Sequence, residues 1–304
     1  GTRTRIDPIR PAKASWPSPT DGITIGPDKE HKLSWRPGEK AALHRVYFGT
    51  DKSNLPLLAK VKKPEQLRLP VLKENQTYYW RVDEVGVDGA VVTGDIWKFS
   101  IGELIGWWKL DGDVKDSSGN DHHGTIKGNP KWVTGRIGDG LEFDGADDYV
   151  DTGYKTDIST LTVAVWANSP AAPSPASQSE VISWDFVHIN WDKPGPFFRG
   201  AASLGVGRRW YAAGFGTLKA NAWYHFCATY NGKSLKAYKD GVLIHANDDP
   251  SGPPIAGKGT LKFGRHSLEF VKEYFRGTID DIRIYNYALS QNEITKLVEE
   301  GNQN

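Results

Sequence analysis

Between residues 107 and 125 the chain reads WWKLDGDVKDSSGNDHHGT, setting Asp111, Asp113, Asp116 and Asp121 beside Asn120, His122 and His123. Three chemistries use such residues. Paired carboxylates act as general acid and base, imidazoles bind zinc, and clustered oxygens bind calcium. Zinc fits poorly, because adjacent histidines point in different directions and no second His or Cys pair stands at ligand spacing. Calcium takes about six to eight hard oxygens, which a loop of Asp, Asn, Ser and Gly supplies, although the residue order of a helical calcium loop is absent. The competing reading is structural: Asp116 and Asn120 close an Asx-type turn in DSSGN.

A second group of residues suits a sugar, which needs aromatic faces for stacking and planar polar groups for its hydroxyls. ISWDFVHINWDKPGPFFRG and GRRWYAAGF bring together Trp184, Asp185, His188, Asn190, Trp191, Arg199, Arg209, Trp210 and Tyr211. Strand alternation puts Trp184, Phe186, His188 and Asn190 on one face and Asp185, Val187, Ile189 and Trp191 on the other. The Val187, Ile189, Trp191 set reads as core, which leaves His188 and Asn190 facing outward. Against a ligand role stands the usual fate of tryptophan, which is to be mostly buried.

The elements that position these residues are short strands. Residues 15–101 divide into HKLSWRP, ALHRVYFGT, EQLRLP, QTYYWRVDEVGV and TGDIWKFSI, separated by turn clusters. In the fourth, Tyr78, Trp80 and Val82 alternate with Tyr79, Arg81 and Asp83. VDGA at 87–90 is a tight Asp-Gly hairpin turn. Residues 104–301 are strand-rich until SQNEITKLVEEG, where Ser290 and Glu293 have capping-box spacing, Ile294, Leu297 and Val298 form an apolar face, and Gly301 is the expected stop. SPAAPSPASQS (169–179) and SGPPIAGKG (251–259) read as loops. The opening, residues 1–14, reads as a linker, and the lack of any Met points to a piece of a longer chain.

Composition narrows the partners. With 38 basic and 37 acidic residues the net charge is +1, so no long-range field steers nucleic acid, and nucleic-acid binding is not expected. No apolar run is long enough to span a bilayer. The one cysteine, Cys227, lies in the alternating WYHFCATY and reads as a buried thiol. Abundant Trp, Tyr and Phe among Gly- and Pro-punctuated strands suggest β-sandwiches with aromatic cores.

Residues 15–101 resemble a fibronectin type III domain. The resemblance rests on Trp35 and on LKENQTYYWRVDEV, where Leu72 and Tyr78 match the corner before the sixth strand, and it implies that the Tyr78 hydroxyl ties that turn to the backbone. Residues 104–301 resemble the bacterial laminin-G-like, or concanavalin A-like, jelly-roll family related to pentraxins. The motifs are GWWKLDGDVKDSSGNDHHGT, GRIGDGLEFDGADDYVDTG, LTVAVWANS, AWYHFCATYNGKSLKAYKDGVLI, LKFGR and FRGTIDDIRIYNYALSQNEI, in that order. The expected fold is therefore all-β: an N-terminal fibronectin type III-like sandwich and a C-terminal concanavalin A-like jelly roll with a short C-terminal helix.

The jelly-roll resemblance also implies chemistry. Laminarinase-type hydrolases share the sandwich and carry a Glu-x-Asp-x-x-Glu strand. Glu142, Asp144 and Asp147 in EFDGADD lack its final glutamate, and Gly145 interrupts the strand, so no catalysis is expected. Calcium is the implied cofactor, held between separated segments. Asp280 is the best-placed ligand on an inward face shared with Ile282 and Ile284, and Asp111, Asp144, Asp116 and Asn120 are its partners. The implied function is a non-catalytic binding or adhesion module of a larger secreted or surface protein, recognising carbohydrate or an extracellular matrix or surface protein. The alternatives are a building block of a surface layer or matrix, and an accessory domain of a glycoside hydrolase.

Overall fold

The computed structural model describes residues 12–27, 30–63, 66–155, 158, 160–171, 179–184, 187–191, 197–203, 208–249, 252 and 259–303, with backbone only at 197–203 and 208–210. The chain divides into two units, with the boundary in sequence between Gly102 and Glu103. Among the described residues no helix is long and apolar enough to cross a membrane. Most of the 1–14 linker, and most of the loops expected at 169–179 and 251–259, lie outside the described residues.

The first unit contains β1 (Ser15–Ser18), β2 (Ile23–Ile25), β3 (Lys32–Arg36), β4 (Ala41–Gly49), β5 (Leu57–Val61), β6 (Leu67–Arg68), β7 (Gln76–Gly86), β8 (Val91–Val92) and β9 (Trp97–Ile101). They form one sheet in the order β1-β3-β6 and another in the order β2-β9-β7-β4-β5, with β8 against β7. The alternating residues of β7 behave as their pattern dictates. Tyr78, Trp80 and Val82 are buried and pack with Trp35, Phe48, Trp97 and Phe99 in one core. Phe48 stacks on Tyr78 at 5.2 Å between ring centroids. The Tyr78 hydroxyl accepts a hydrogen bond from the Lys73 N–H at 2.9 Å, tying down the turn before β7. Ala14, read as linker, is buried in this core.

The second unit contains β10 (Leu104–Trp108), β11 (Thr125–Lys127), β12 (Lys131–Thr134), β13 (Asp139–Asp144), β14 (Tyr149–Asp151), β15 (Leu161–Asn168), β16 (Glu180–Trp184), β17 (Val187–Asn190), β18 (Phe197–Ser203), β19 (Arg208–Gly214), β20 (Trp223–Tyr230), β21 (Leu235–Lys239), β22 (Val242–Asn247), β23 (Lys262–Phe263), β24 (Arg276–Tyr285) and α1 (Gln291–Asn302). One sheet runs β12-β13-β24-β15-β20-β21-β22, with β10 also on β24, and a second runs β11-β14-β23-β16-β17-β18-β19. Apolar side chains from both sheets, including Val163, Val165, Ile182, Ile189, Phe226 and Phe263, share one core, so the unit is a β-sandwich.

The first of these sheets is also covered on its outer face. Ile294 and Leu297 of α1 pack with Ala164, Cys227 and Tyr238. Burial drives the Cys227 thiol pKa well above its usual value, as expected of an inert core thiol. Ser290 and Glu293 form the capping box. Gly301, however, is not the helix stop. The helix continues to Asn302, and Gly301 is buried against Trp166, where a Cβ would lie 2.6–2.8 Å from the indole ring. The close approach of helix and sheet is what requires glycine there.

Candidate functional site

The 107–125 segment is a closed hydrogen-bonded turn. Asp116 Oδ1 accepts from the N–H groups of Trp107 and Ser118, and its Oδ2 accepts from the Ser118 hydroxyl and the His122 N–H. Burial pushes this carboxyl's pKa up, but those four hydrogen bonds outweigh it and hold the group below its usual value. Asn120 Nδ2 donates to the carbonyls of Leu104 and Ile105. His123 Nδ1 accepts from the Asp116 N–H, and His122 stacks on Tyr154. The carboxylate and both imidazoles are thus committed to holding the turn.

Asp111 and Asp280 meet the same tight turn between β12 and β13. Asp111 Oδ1 accepts from the Asp139 N–H at 2.9 Å, and Asp280 Oδ2 accepts from the N–H groups of Arg136 and Ile137 at 2.7 and 2.8 Å. Two carboxylates distant in the chain therefore converge, but on backbone donors. Asp280 does not share a face with Ile282 and Ile284. Asp281 has φ 43°, and the β15–β24 register shifts between Ala164 and Trp166, so a bulge interrupts the alternation. Ile279 and Ile282 both face the core, while Asp280 stands opposite Trp166 on the face that α1 covers. Burial raises its pKa to about 7 despite the two backbone donors.

Asp144 belongs to a different group. Its ligand oxygen and those of Asp147 and Asp148 lie within 4.8 Å of one another. The turn after β13 brings them together: Asp144 Oδ1 accepts from Ala146 N–H, and Asp148 Oδ2 accepts from Asp144 N–H. Gly145 makes the turn with φ 82°, packed against Arg276. The three carboxylates, with Lys131, Glu142 and Arg276, line a cleft of about 490 Å³. Asp111, Asp116, Asn120 and Asp280 are not part of this group. The Asp-x-x-Asp-Asp order of 144–148 is the available signal for it, visible once Asp147 and Asp148 are counted as partners of Asp144.

The aromatic and polar set expected to contact a sugar divides in four. Trp184 is buried in the main core, because it pairs with Val187 across the β16–β17 hairpin and points the same way. His188 and Asn190 do lie on the opposite face from Val187 and Ile189, yet both are buried. Their cover is the loop after β23, where Ser267 N–H donates to Ser183 Oγ at 2.8 Å. Tyr211 is half-buried against the core. Asp185 and Phe186 lie outside the described residues, as do the side chains of Arg199, Arg209 and Trp210.

The buried face next to His188 also holds groups that sequence reasoning missed. Lys262 and Arg265 are each 2 % exposed and both grip Glu269. The Lys262 hydrogen bond is the leading reason that the Glu269 carboxyl sits below its usual pKa. Ser183 Oγ and Glu180 Oε2 both approach the same nitrogen of His188, Nδ1, at 3.1 and 3.2 Å. A nucleophile–base relay needs the two ring nitrogens on different partners, so this is no Ser-His-Glu triad.

Residues 144–295 match the family model described as the concanavalin A-like lectin/glucanases superfamily. Among solved structures, domain 4 of AbnA, a GH43 extracellular arabinanase from Geobacillus stearothermophilus in complex with arabinotriose, is similar at TM-score 0.53 and 19% identity, covering 65% of this chain and 98% of that one. The binding domain of Paraclostridial Mosquitocidal Protein 1 is similar at TM-score 0.52 and 16% identity, covering 64% of this chain and 52% of that one. At these identities the likeness is one of fold. No curated protein matches the chain.

Proposed function

Since the chain belongs to the concanavalin A-like lectin/glucanases superfamily, matching it over residues 144–295, we propose that it is a non-catalytic carbohydrate-binding module acting outside the cell or on its surface. The cleft beside Asp144 is its saccharide site. One observation carries the reading: acidic and basic side chains line the cleft together, Glu142 and the three aspartates with Lys131 and Arg276. Planar carboxylates accept from sugar hydroxyls, and Lys and Arg donate to them. The fold shared with an arabinanase domain solved with arabinotriose supports an oligosaccharide as the ligand class.

A calcium ion fits this cleft better than it fits the surroundings of Asp116 or Asp280. Asp144, Asp147 and Asp148 offer hard oxygens close enough to share one ion. Asp116 has both oxygens filled by donors, and Asp280 Oδ2 is taken up by the N–H groups of Arg136 and Ile137. When bound, the ion supplies a positive centre that staples the 144–148 turn. The aspartates hold that turn beneath the saccharide, and Arg276 and Lys131 orient its hydroxyls.

The three aspartates, with oxygens within 4.8 Å of one another, form a cluster that suits one shared cation. In this reading the first unit is a fibronectin type III-like spacer, supported by the Tyr78–Lys73 corner.

The test is calorimetric titration with arabino-oligosaccharides and a panel of extracellular polysaccharides, in calcium and in chelator. Binding that Arg276→Ala weakens by about tenfold or more supports the cleft. A melting temperature that falls on chelation and recovers with calcium supports the ion. Absence of binding to every glycan tested, or turnover of any of them, defeats the reading.

A further inference from the structure

On the outer face of the β16–β17 hairpin, away from the Asp144 cleft, Glu180, His188 and His266 place one ligand atom each within 4.8 Å of the others. Two are supplied by the hairpin and the third by the loop after β23. We propose that these side chains, together with the Asn190 amide oxygen, bind a divalent transition metal of the zinc type.

The donor set is the first argument. Two imidazoles, a carboxylate and an amide oxygen suit zinc and its neighbours rather than calcium, which takes oxygens alone. The spacing is the second. Zinc bonds of about 2.0–2.1 Å at a tetrahedral angle set neighbouring donors about 3.3 Å apart. His188 Nδ1 and Glu180 Oε2 stand 3.2 Å apart. His266 needs a shift on the order of an ångström to complete the set, and it sits on a loop rather than inside a strand.

The third argument is the state of the neighbouring polar atoms. Glu180 and Asn190 are fully buried and pair with each other across the hairpin. Among the described residues, Glu180 Oε1 and both side-chain polar atoms of Asn190 have no hydrogen-bond partner. Folding seldom leaves buried acceptors this way without a ligand to take them up. Coordination by Asn190 Oδ1 gives that oxygen a partner, and the ion's charge balances the buried Glu180 carboxylate, while Lys262 and Arg265 nearby are engaged with Glu269.

At His188 Nδ1 the metal displaces the hydrogen bonds with Ser183 Oγ and Glu180 Oε2, and there is a further cost at His266. Leu268 N–H donates to His266 Nδ1 at 3.0 Å, which leaves the proton of the neutral ring on Nε2. Coordination through Nε2 moves that proton to Nδ1 and gives up the hydrogen bond. In return the metal pins the loop to the sheet, since His266 and the hairpin ligands then share one ion.

The full chain, stripped with chelator, is titrated with zinc chloride by calorimetry and with cobalt(II) by visible absorption. One equivalent of zinc is expected to bind with Kd in the micromolar range or tighter, with the strong visible bands of tetrahedral cobalt(II). His266→Ala, a half-buried loop position that leaves the core intact, is expected to weaken zinc binding on the order of 100-fold. Glu180→Gln keeps the shape of the site and is expected to weaken binding as well. Asp144→Asn and excess calcium are expected to leave zinc uptake unchanged. Zinc binding that both His266→Ala and Glu180→Gln leave intact overturns the proposal, as does cobalt(II) without tetrahedral absorption.

Discussion

Asp280 and His225 flank Trp166 in one row across three adjacent strands: Trp166 pairs with Asp280 of β24 on one side and with His225 of β20 on the other. The row lies beneath α1, where Gly301 meets the same indole. Trp166 and His225 rings are 5.2 Å apart. Burial moves the two titratable groups toward their neutral forms. Asp280 is raised to about 7, and His225 is lowered to about 3 by burial and the nearby Arg283 charge.

The sign for Asp280 follows from linkage. Its folded pKa of about 7 lies above the unfolded value, so the folded chain holds a proton that the unfolded chain has lost. The stability it contributes is full below about pH 4 and is lost as the pH rises through about 7. Asp280→Asn should remove a fall of about 2–4 kcal/mol across that window, since a tenfold change in proton affinity is worth about 1.4 kcal/mol. Urea denaturation at a series of pH values reads this directly. A variant with the wild-type pH profile would show that Asp280 is ionised in the fold at neutral pH.

His225 has the opposite slope. Its folded pKa of about 3 is below the unfolded value, so its contribution is present above about pH 6.5 and lost as the pH falls toward 3. The two slopes offset each other over much of the window, which flattens the wild-type profile. His225→Phe, which keeps a ring against Trp166, should unmask the Asp280 fall and remove up to about 4 kcal/mol of acid sensitivity. Asp280→Asn should unmask the His225 rise. Identical profiles for both variants would refute the paired assignment.

Asp116→Ala should destabilise the second unit by about 2–4 kcal/mol, because it leaves the backbone N–H groups of Trp107, Ser118 and His122 without their acceptor. The loss should be the same with calcium and with chelator. A destabilisation that vanishes in chelator would restore Asp116 as an ion ligand.

Gly301→Ala should lower stability by about 1–3 kcal/mol, since the new methyl meets the Trp166 indole and the helix must lift from the sheet. Alanine is the better helix former, so an overall gain on thermal melting would mean that α1 does not sit against Trp166.

Much of the architecture is legible in the sequence because it is written in local patterns. Tyr78, Trp80 and Val82 alternate and are buried, and Ser290 and Glu293 cap α1 where their spacing places them. Gly301 reads wrongly as a stop because glycine near a helix end usually marks one, and nothing local distinguishes a stop from a contact with Trp166, a residue 135 positions away in the chain. Alternation puts Asp280 on the wrong face because one bulge at Asp281 resets a period of two. It also turns Trp184 outward, by running on through a hairpin whose register returns that side chain to the core.

The amino-acid order alone determined that this chain builds aromatic-cored β-sandwiches with one capped terminal helix, since turn residues, alternation and capping act over a few positions. Only the tertiary structure decided which polar residues gather. Asp144 with Asp147 and Asp148, and Glu180 with His188 and His266, are joined by a turn and by strand pairing with a distant loop. Burial and register are properties of what packs on a strand, and for His188 and Asn190 that cover arrives from about 80 residues further along the chain.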